Sequence, residues 1–392
     1  MNPVITSIAR TPIGRFNDAF ASLTAMDLGG VAIRTALERS SLAPEQVDEV
    51  IFGHVLQAGQ GQITARQAAV KAGIPMSVPA MTINKVCLSG MTAIQEAANH
   101  IRLGQSTFVV AGGMESMTNA PYVLPGARSG YRFGDQTVVD TMTHDGLFCA
   151  FDSCMMGDSS DRKNDDLGIG RTEQDAWAAE SHARAERATD NGAVTNEIAP
   201  VEVPQRKGDP LVITEDGGIR RGTTQESLGG LRPAFNPGGT ITAGNASQIS
   251  DGAAAVVVAD RQAAEAAGLP ILAEIVSYGQ VAGPDATLHE RPAEALRVAL
   301  KSASLDASDL DLVEFNEAFA SVALWSARML DIDPSKVNVH GGAVALGHPL
   351  GATGARIVVT LINALRETGG TYGGAALCGG GGQGDALIVK VV

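Results

Sequence analysis

Cys87, Asn316, His348 and Cys378 are the residues of this chain best equipped for chemistry, each set in its own turn. Cys87 stands in Asn84-Lys85-Val86-Cys87-Leu88-Ser89-Gly90-Met91, after a strand-like run, Ala80-Met81-Thr82-Ile83, and before a helical one from Met91 to Ile101. A cysteine at a helix N-terminus feels the positive end of the helix dipole, which lowers its pKa and favours the attacking thiolate. The bland alternative is a buried structural cysteine, the commoner fate of a lone one. Far downstream lie Gly347-His348-Pro349-Leu350-Gly351-Ala352-Thr353-Gly354 and Leu377-Cys378-Gly379-Gly380-Gly381-Gly382-Gln383-Gly384. One cysteine with a compatible histidine is a moderate sign of nucleophilic catalysis. Two cysteines, a histidine and an asparagine make a strong one.

The elements that must hold these residues alternate between strand and helix patterns, which predicts an α/β fold with largely buried sheets. Met26 to Ser40 reads as an amphipathic helix, Val47 to Gly53 as a strand, and Thr107 to Ala111 as a short buried strand. An internal echo is visible. Asp48-Glu49-Val50-Ile51-Phe52-Gly53 resembles Asp311-Leu312-Val313-Glu314-Phe315-Asn316, and Phe108 to Gly113 resembles Ala375 to Gly380. Cys87 and His348 lie between these pairs at nearly the same offset. From Asn119 to about Ser247 the apolar periodicity weakens and Pro, Gly and charge increase, apart from a helical island at Thr172 to Thr189. This segment reads as an excursion from a half that resumes at Ala253-Ala254-Ala255-Val256-Val257-Val258.

Composition narrows the function classes. With 392 residues, 44% of them hydrophobic, the chain can bury a large core and should hold more than one domain. No run of about 18 apolar residues is present, so no membrane span is expected. No basic-then-apolar leader precedes Val4-Ile5-Thr6-Ser7-Ile8, so no secretory signal is expected either. Four cysteines in this length are no disulfide scaffold and point to a reducing cytoplasm. Cys149 and Cys154 read as loop residues without a second ligand pair, so no metal is expected. A formal charge of −14 argues against nucleic acid and anionic membranes as partners. Arg206-Lys207, Arg220-Arg221 and Arg232 nevertheless concentrate cations in the middle segment.

The motifs together resemble the thiolase family, and within it the short-chain acetyl-CoA acetyltransferases. The resemblance rests on the Cys87 block, Asn316-Glu317-Ala318-Phe319-Ala320, the Gly-His-Pro block and the Cys378 glycine block. Ala9 to Gly14, Ala111 to Met117, Thr242 to Ser247 and Asp251 to Ala254 add to it, so it runs from end to end in the expected order. It implies two similar βαβαβαββ halves packed face to face in αβαβα layers, with an inserted loop domain. The halves would be 1–118 with 249–270, and 271–392; the insertion, 119–248, would cover coenzyme A and contribute to a homotetramer, a dimer of dimers. The implied reaction is the reversible condensation of two acetyl-CoA to acetoacetyl-CoA and coenzyme A, with no further cofactor. Cys87 would carry the acyl group, His348 would serve it as base, and Cys378 would take the α-proton. One oxyanion hole would be His348 with a water on Asn316, the other the N–H groups of Cys87 and Gly380. Arg220 and Ser227 would lie near the nucleotide, Ser247 near the pantetheine amide, and Ala318 and Phe319 along the thioester tunnel.

Bare residue chemistry supports these roles while leaving others open. Thiolates attack thioesters readily, and the product is itself a thioester. A glycine run such as Gly379 to Gly382 lets backbone N–H groups approach an oxyanion closely; without a Gly-Lys-Ser/Thr ending it is no phosphate loop. His348 could be a mere capping residue, and Cys378 a small apolar residue at a strand end. The chain departs from the family at Leu88, at Met155-Met156-Gly157 and at Leu288-His289-Glu290-Arg291-Pro292, all of which are expected near the acyl pocket, Met156 among its contacts. The alternatives are a degradative 3-ketoacyl-CoA thiolase of broader chain length, a decarboxylating ketoacyl synthase, for which Asn316 and Cys378 are the wrong residues, and a non-catalytic lipid- or acyl-CoA-binding relative.

Overall fold

Apolar runs too short for helices become the strands of one mixed sheet in the computed structural model, which describes all residues from Met1 to Val392. In chain order the main strands are β1 (Pro3–Arg10), β2 (Glu49–Gly53), β3 (Ala80–Ile83), β4 (Phe108–Ser116), β5 (Ser250–Asp260), β6 (Ala273–Ala282), β7 (Leu312–Phe315), β8 (Tyr372–Gly379) and β9 (Gln383–Val391). Every residue of β1 and β5 is buried, as expected of strands covered on both faces. The helices that matter most are α1 (Ala25–Ser40), α2 (Ser89–Arg102), α3 (Arg171–Asp190), α4 (Arg291–Ala303) and α5 (Leu350–Thr368). Thr24 caps α1 in a capping box: its Oγ1 accepts from the Asp27 N–H at 3.2 Å, while Asp27 Oδ2 accepts from the Thr24 N–H at 2.9 Å.

The strand order is β7-β8-β9-β6-β1-β5-β4-β2-β3. Each half repeats one pattern. In the first, β2 runs parallel to β3 and β4, then β4–β5 and β5–β1 pair antiparallel. In the second, β7 runs parallel to β8, then β8–β9 and β9–β6 pair antiparallel. Val337 bridges Val313 in parallel where the counterpart of β3 belongs. The two echoed sequence pairs therefore occupy equivalent places, at β2 and β7 and at β4 and β8. The halves join through Val4↔Glu274 and Ile5↔Ala273. Between β4 and β5 the chain leaves the sheet and returns antiparallel, Asp251 opposite Ser116.

Helices α2 and α5 form the central layer. Met91, Ile94 and Ile101 of α2 meet Ile357, Leu361 and Ile362 of α5 in one core with Ile5, Val256, Leu377 and Leu387 from both halves of the sheet. Residues 350 to 365 of α5 are all buried, Arg356 among them with its Nη1 3.2 Å from Glu314 Oε2. The outer layers are α1 over Val110 and Val257 and α4 over Phe315 and Ile388, which completes the αβαβα stack of the thiolase fold. Glycine lets the central layers touch: a Cβ on Gly113 would stand 1.9 Å from the Gly351 carbonyl oxygen, and one on Gly354 2.4 Å from the Met91 nitrogen. This backbone contact sets the Cys87 turn against the His348 turn.

Candidate active site

The Cys87 turn is built by short-range hydrogen bonds. Asn84 Oδ1 accepts from the Val86 N–H at 3.0 Å, and the Ser89 hydroxyl accepts from the Lys85 N–H at 2.8 Å while donating to the Val86 carbonyl at 2.6 Å. These bonds hold Val86 at φ 50°, a left-handed conformation that a β-branched residue adopts only when its surroundings force it. The turn lifts Cys87 into a cavity one residue before Leu88, the N-cap of α2.

His348 comes to the same cavity from the turn before α5. A thiol–imidazole contact joins the two, His348 Nε2 to Cys87 Sγ at 3.3 Å. The tautomer follows from the second ring nitrogen. Thr353 donates its hydroxyl proton to the Pro349 carbonyl at 2.9 Å, so its oxygen accepts from His348 Nδ1–H at 2.7 Å. The lone pair of Nε2 is thereby left facing sulfur. Thr353 escaped the sequence reading because a helical Thr carries no signal of its own; its place five residues after His348, in the same Gly-rich stretch, was the available hint.

Asn316 directly follows β7, and its Nδ2 lies 3.5 Å from His348 Nε2, while its buried Oδ1 has no protein partner. The next residue explains part of the Asn-Glu-Ala-Phe text. The buried Glu317 carboxylate accepts from Trp177 Nε1–H (2.9 Å), Ser181 Oγ–H (2.8 Å), Asn338 Nδ2–H (2.9 Å) and the Val344 N–H (3.0 Å). It ties α3 to the segment leading into His348. Glu115 does the same from β4, accepting from the backbone N–H groups of Val55, Leu56 and Gly351. Both acids were visible in the sequence only as part of the family text.

Cys378, at the end of β8, lines the same cavity as Cys87 and His348, together with Gly379, Gly380, Ala318, Phe319, Met156, Leu288, Leu147 and Ser247. Its volume is about 60 Å³, against roughly 10–15 Å³ for one water on the same measure, so it suits a short acyl group. Phe235 meets Phe319 edge to face at 6.1 Å behind this wall.

Electrostatics correct one expectation. Burial pushes the Cys87 thiol up to about 12, although its own N–H and that of Gly380 both point at the sulfur and pull the other way. The helix dipole is outweighed by desolvation. Burial, then the neighbouring Cys87, likewise raises Cys378. Burial, then the charge of Arg356, holds His348 down to about 3. The resting pair is a neutral thiol beside a neutral imidazole.

The remaining residues fall in three places. Ser247, Ala318, Phe319 and Met156 line the cavity. Arg220 and Ser227 do not; they are exposed on the segment that packs beside Ala243, whose carbonyl lies 3.5 Å from Arg220 Nη1. Of the departures, Leu288 and Met156 line the cavity, but Leu88 does not touch it. Leu88 is fully buried on the other side, its Cγ 2.6 Å from where a Cβ on Gly379 would stand. Its size therefore answers a packing need beneath the glycine run. His289 turns away too, with Nε2 2.8 Å from Asn164 Oδ1.

Comparison with known proteins agrees with this geometry. Residues 3–262 match the thiolase N-terminal domain and residues 269–391 the thiolase C-terminal domain. The chain is 51% identical to a probable acetyl-CoA acetyltransferase of Mycolicibacterium smegmatis, over 99% of this chain and 100% of that protein. It is 49% identical to an acetyl-CoA acetyltransferase of Cupriavidus necator, over 99% and 98%. The crystal structure of the Bacillus anthracis acetyl-CoA acetyltransferase superposes with a TM-score of 0.97 at 40% identity, covering 100% of this chain and 99% of that one. With both domains matched and Cys87, His348 and Cys378 gathered in one cavity, the chain belongs to the thiolase family.

Proposed function

We propose that this enzyme is an acetyl-CoA C-acetyltransferase, which condenses two acetyl-CoA to acetoacetyl-CoA and coenzyme A and runs thiolysis in reverse. The observation that carries this is the Cys87–His348 contact of 3.3 Å in a small cavity that Cys378 also lines. In the first half-reaction His348 Nε2 takes the Cys87 proton as sulfur attacks the thioester carbonyl. The tetrahedral intermediate expels the coenzyme A thiolate, which leaves with the Cys378 proton. An acetyl-cysteine, an imidazolium and a Cys378 thiolate remain. In the second, Cys378 takes the α-proton of a new acetyl-CoA, and His348 Nε2–H with a water on Asn316 faces the enolate oxygen. The carbanion attacks the acetyl-cysteine carbonyl, whose oxygen turns toward the N–H groups of Cys87 and Gly380. Cys87 leaves as thiolate and recovers its proton from His348, so every proton is accounted for.

Arg220 and Ser227, exposed beside the Ala243 to Ser247 stretch that leads into the cavity, hold the nucleotide end of coenzyme A, and Ser247 meets the pantetheine amide. The flat guanidinium suits adenine and phosphate alike. Cysteines and histidine supply all the chemistry, so no resident cofactor is required. The division into two halves with residues 119–248 as a cover, assembly as a homotetramer and a cytoplasmic home are part of the same reading. No helix is long and apolar enough to cross a membrane. The degradative thiolase of broader chain length uses the same residues; the volume of about 60 Å³ favours the short-chain reading.

Intact-mass analysis after mixing with acetyl-CoA tests it. An acetyl adduct should map to Cys87, and Cys87→Ser should lose both adduct and turnover, because an alkoxide is far harder to generate than a thiolate. An adduct on Cys149, or none, would overturn the reading.

A further inference from the structure

Cys149 and Cys154 play no part in the steps above, yet the fold brings them together. The segment forms a short antiparallel hairpin, Phe148–Cys149 against Cys154–Met155, with Cys149 directly opposite Cys154. Directly opposed residues of an antiparallel pair stand about 4.5–5.5 Å apart at Cα with their side chains on one face. A disulfide accepts Cα separations of about 4.4–6.8 Å. The general spacing of such a pair falls within that range. Both residues are free thiols. Cys154 is the more accessible, and Arg162 Nη2 lies 3.0 Å from its sulfur, placing a cation against the atom that would attack. Cys149 is buried, and its sulfur accepts from the Asp152 N–H at 3.3 Å.

The hairpin stands where closing it has a consequence. Gly146 and Leu147 immediately before it and Met156 immediately after it line the catalytic cavity. At its tip the Phe151 ring lies 3.1 Å from where a Cβ on Gly381 would stand, over the glycine run that follows Cys378. We propose that Cys149 and Cys154 are a redox-reversible disulfide site whose closure clamps the rim of this cavity, the oxidant being a low-molecular-weight disulfide. The Cys154 thiolate attacks one sulfur of the reagent and releases the first thiol. The Cys149 thiolate then attacks the Cys154 sulfur of the mixed disulfide and releases the second. The protein loses two electrons and two protons, both carried away on two reagent thiols. The proposal rests on the functional reading only in taking this cavity for the acyl site.

The test treats the native full-length protein with oxidised glutathione. The tryptic peptide carrying both cysteines should become lighter by two hydrogens and escape alkylation until reductant is added. On the same samples, modification of Cys87 is timed with iodoacetamide and with a bulky maleimide. Oxidation should lower the maleimide rate relative to the iodoacetamide rate several-fold, and should leave that ratio unchanged in C154S and in the C149S/C154S double variant. A stable glutathione adduct without ring closure, a cross-link between Cys87 and Cys378, or an unchanged access ratio would each overturn the proposal. Failure of the reduced enzyme to acetylate Cys87 would sink the functional reading and leave the clamp standing.

Discussion

Replacing Thr353 by valine removes one hydroxyl and little else. The side chain is fully buried and the two residues are nearly isosteric. The Pro349 carbonyl, which loses the Thr353 hydroxyl donor, keeps the N–H groups of Ala352 and Thr353 at 2.9 and 3.0 Å. His348 Nδ1 loses its acceptor at 2.7 Å. That bond matters most once His348 has taken the Cys87 proton, because hydrogen bonds from a charged group are worth about 1.5–3 kcal/mol. With about 1.4 kcal/mol per tenfold, the cost is roughly 10- to 150-fold in the rate of Cys87 acetylation. Rapid mixing with acetyl-CoA and mass analysis of quenched samples reads that step directly. The unfolding midpoint should also fall, because the buried Nδ1–H is left without an acceptor at a cost of about 1–3 kcal/mol, and Thr353→Ser should recover most of both the rate and the stability. Acetylation within about twofold of the parent rate would refute the tautomer argument, since a bond of this class is worth more than that. A loss that serine did not rescue would refute it equally.

Three further outcomes follow from the site and the core beneath it. Cys378→Ala should still form acetyl-enzyme, at a reduced rate, while failing to make acetoacetyl-CoA or to exchange the α-protons of acetyl-CoA with deuterated solvent; condensation at near-normal rate would reduce Cys378 to a packed strand residue. Because burial raises the Cys87 thiol to about 12 and holds His348 at about 3, iodoacetamide alkylation of Cys87 should climb steadily from pH 6 to pH 9 as thiolate accumulates, and a plateau across that range would point instead to a preformed thiolate–imidazolium pair. Gly379→Ala drives a Cβ to 2.6 Å from Leu88 Cγ and should cost about 1–3 kcal/mol, read as a lower unfolding midpoint that Leu88→Ala partly restores in the double variant.

Acid stability carries the sign of a depressed histidine. The unfolded state binds the His348 proton below about pH 6.5, whereas the folded state resists it until about pH 3, so stability falls as pH drops through that window.

The candidate residues could be picked out because each stands in a turn of distinctive text, three of them after or at the end of a strand and His348 between a short helix and α5. The repeat was legible in β2 and β7 because the two strands carry closely similar runs, Glu49-Val50-Ile51-Phe52 against Leu312-Val313-Glu314-Phe315. Thr353 was not, since its role depends on which way a neighbouring ring points. The thiol pKa was misread because a dipole can be inferred from helix position, whereas desolvation depends on residues brought in from β8 and the 318–319 turn. Leu88 looked like a pocket residue because sequence adjacency to Cys87 does not say which side of the turn faces the cavity.

Cys87 belongs to the first half of the chain, and His348, the base proposed for it, lies 261 residues downstream, in the second. During synthesis Cys87 leaves the ribosome long before His348 does. Until His348 and its neighbours arrive, Cys87 is a solvated thiol of ordinary pKa, mostly protonated at neutral pH. The Cys87–His348 contact requires α5 docked on α2, and Cys378 joins it only with β8 in place. A chain that stops before α5 lacks half of the proposed catalytic pair, so activity per milligram should report the fraction of molecules whose two halves have closed on each other.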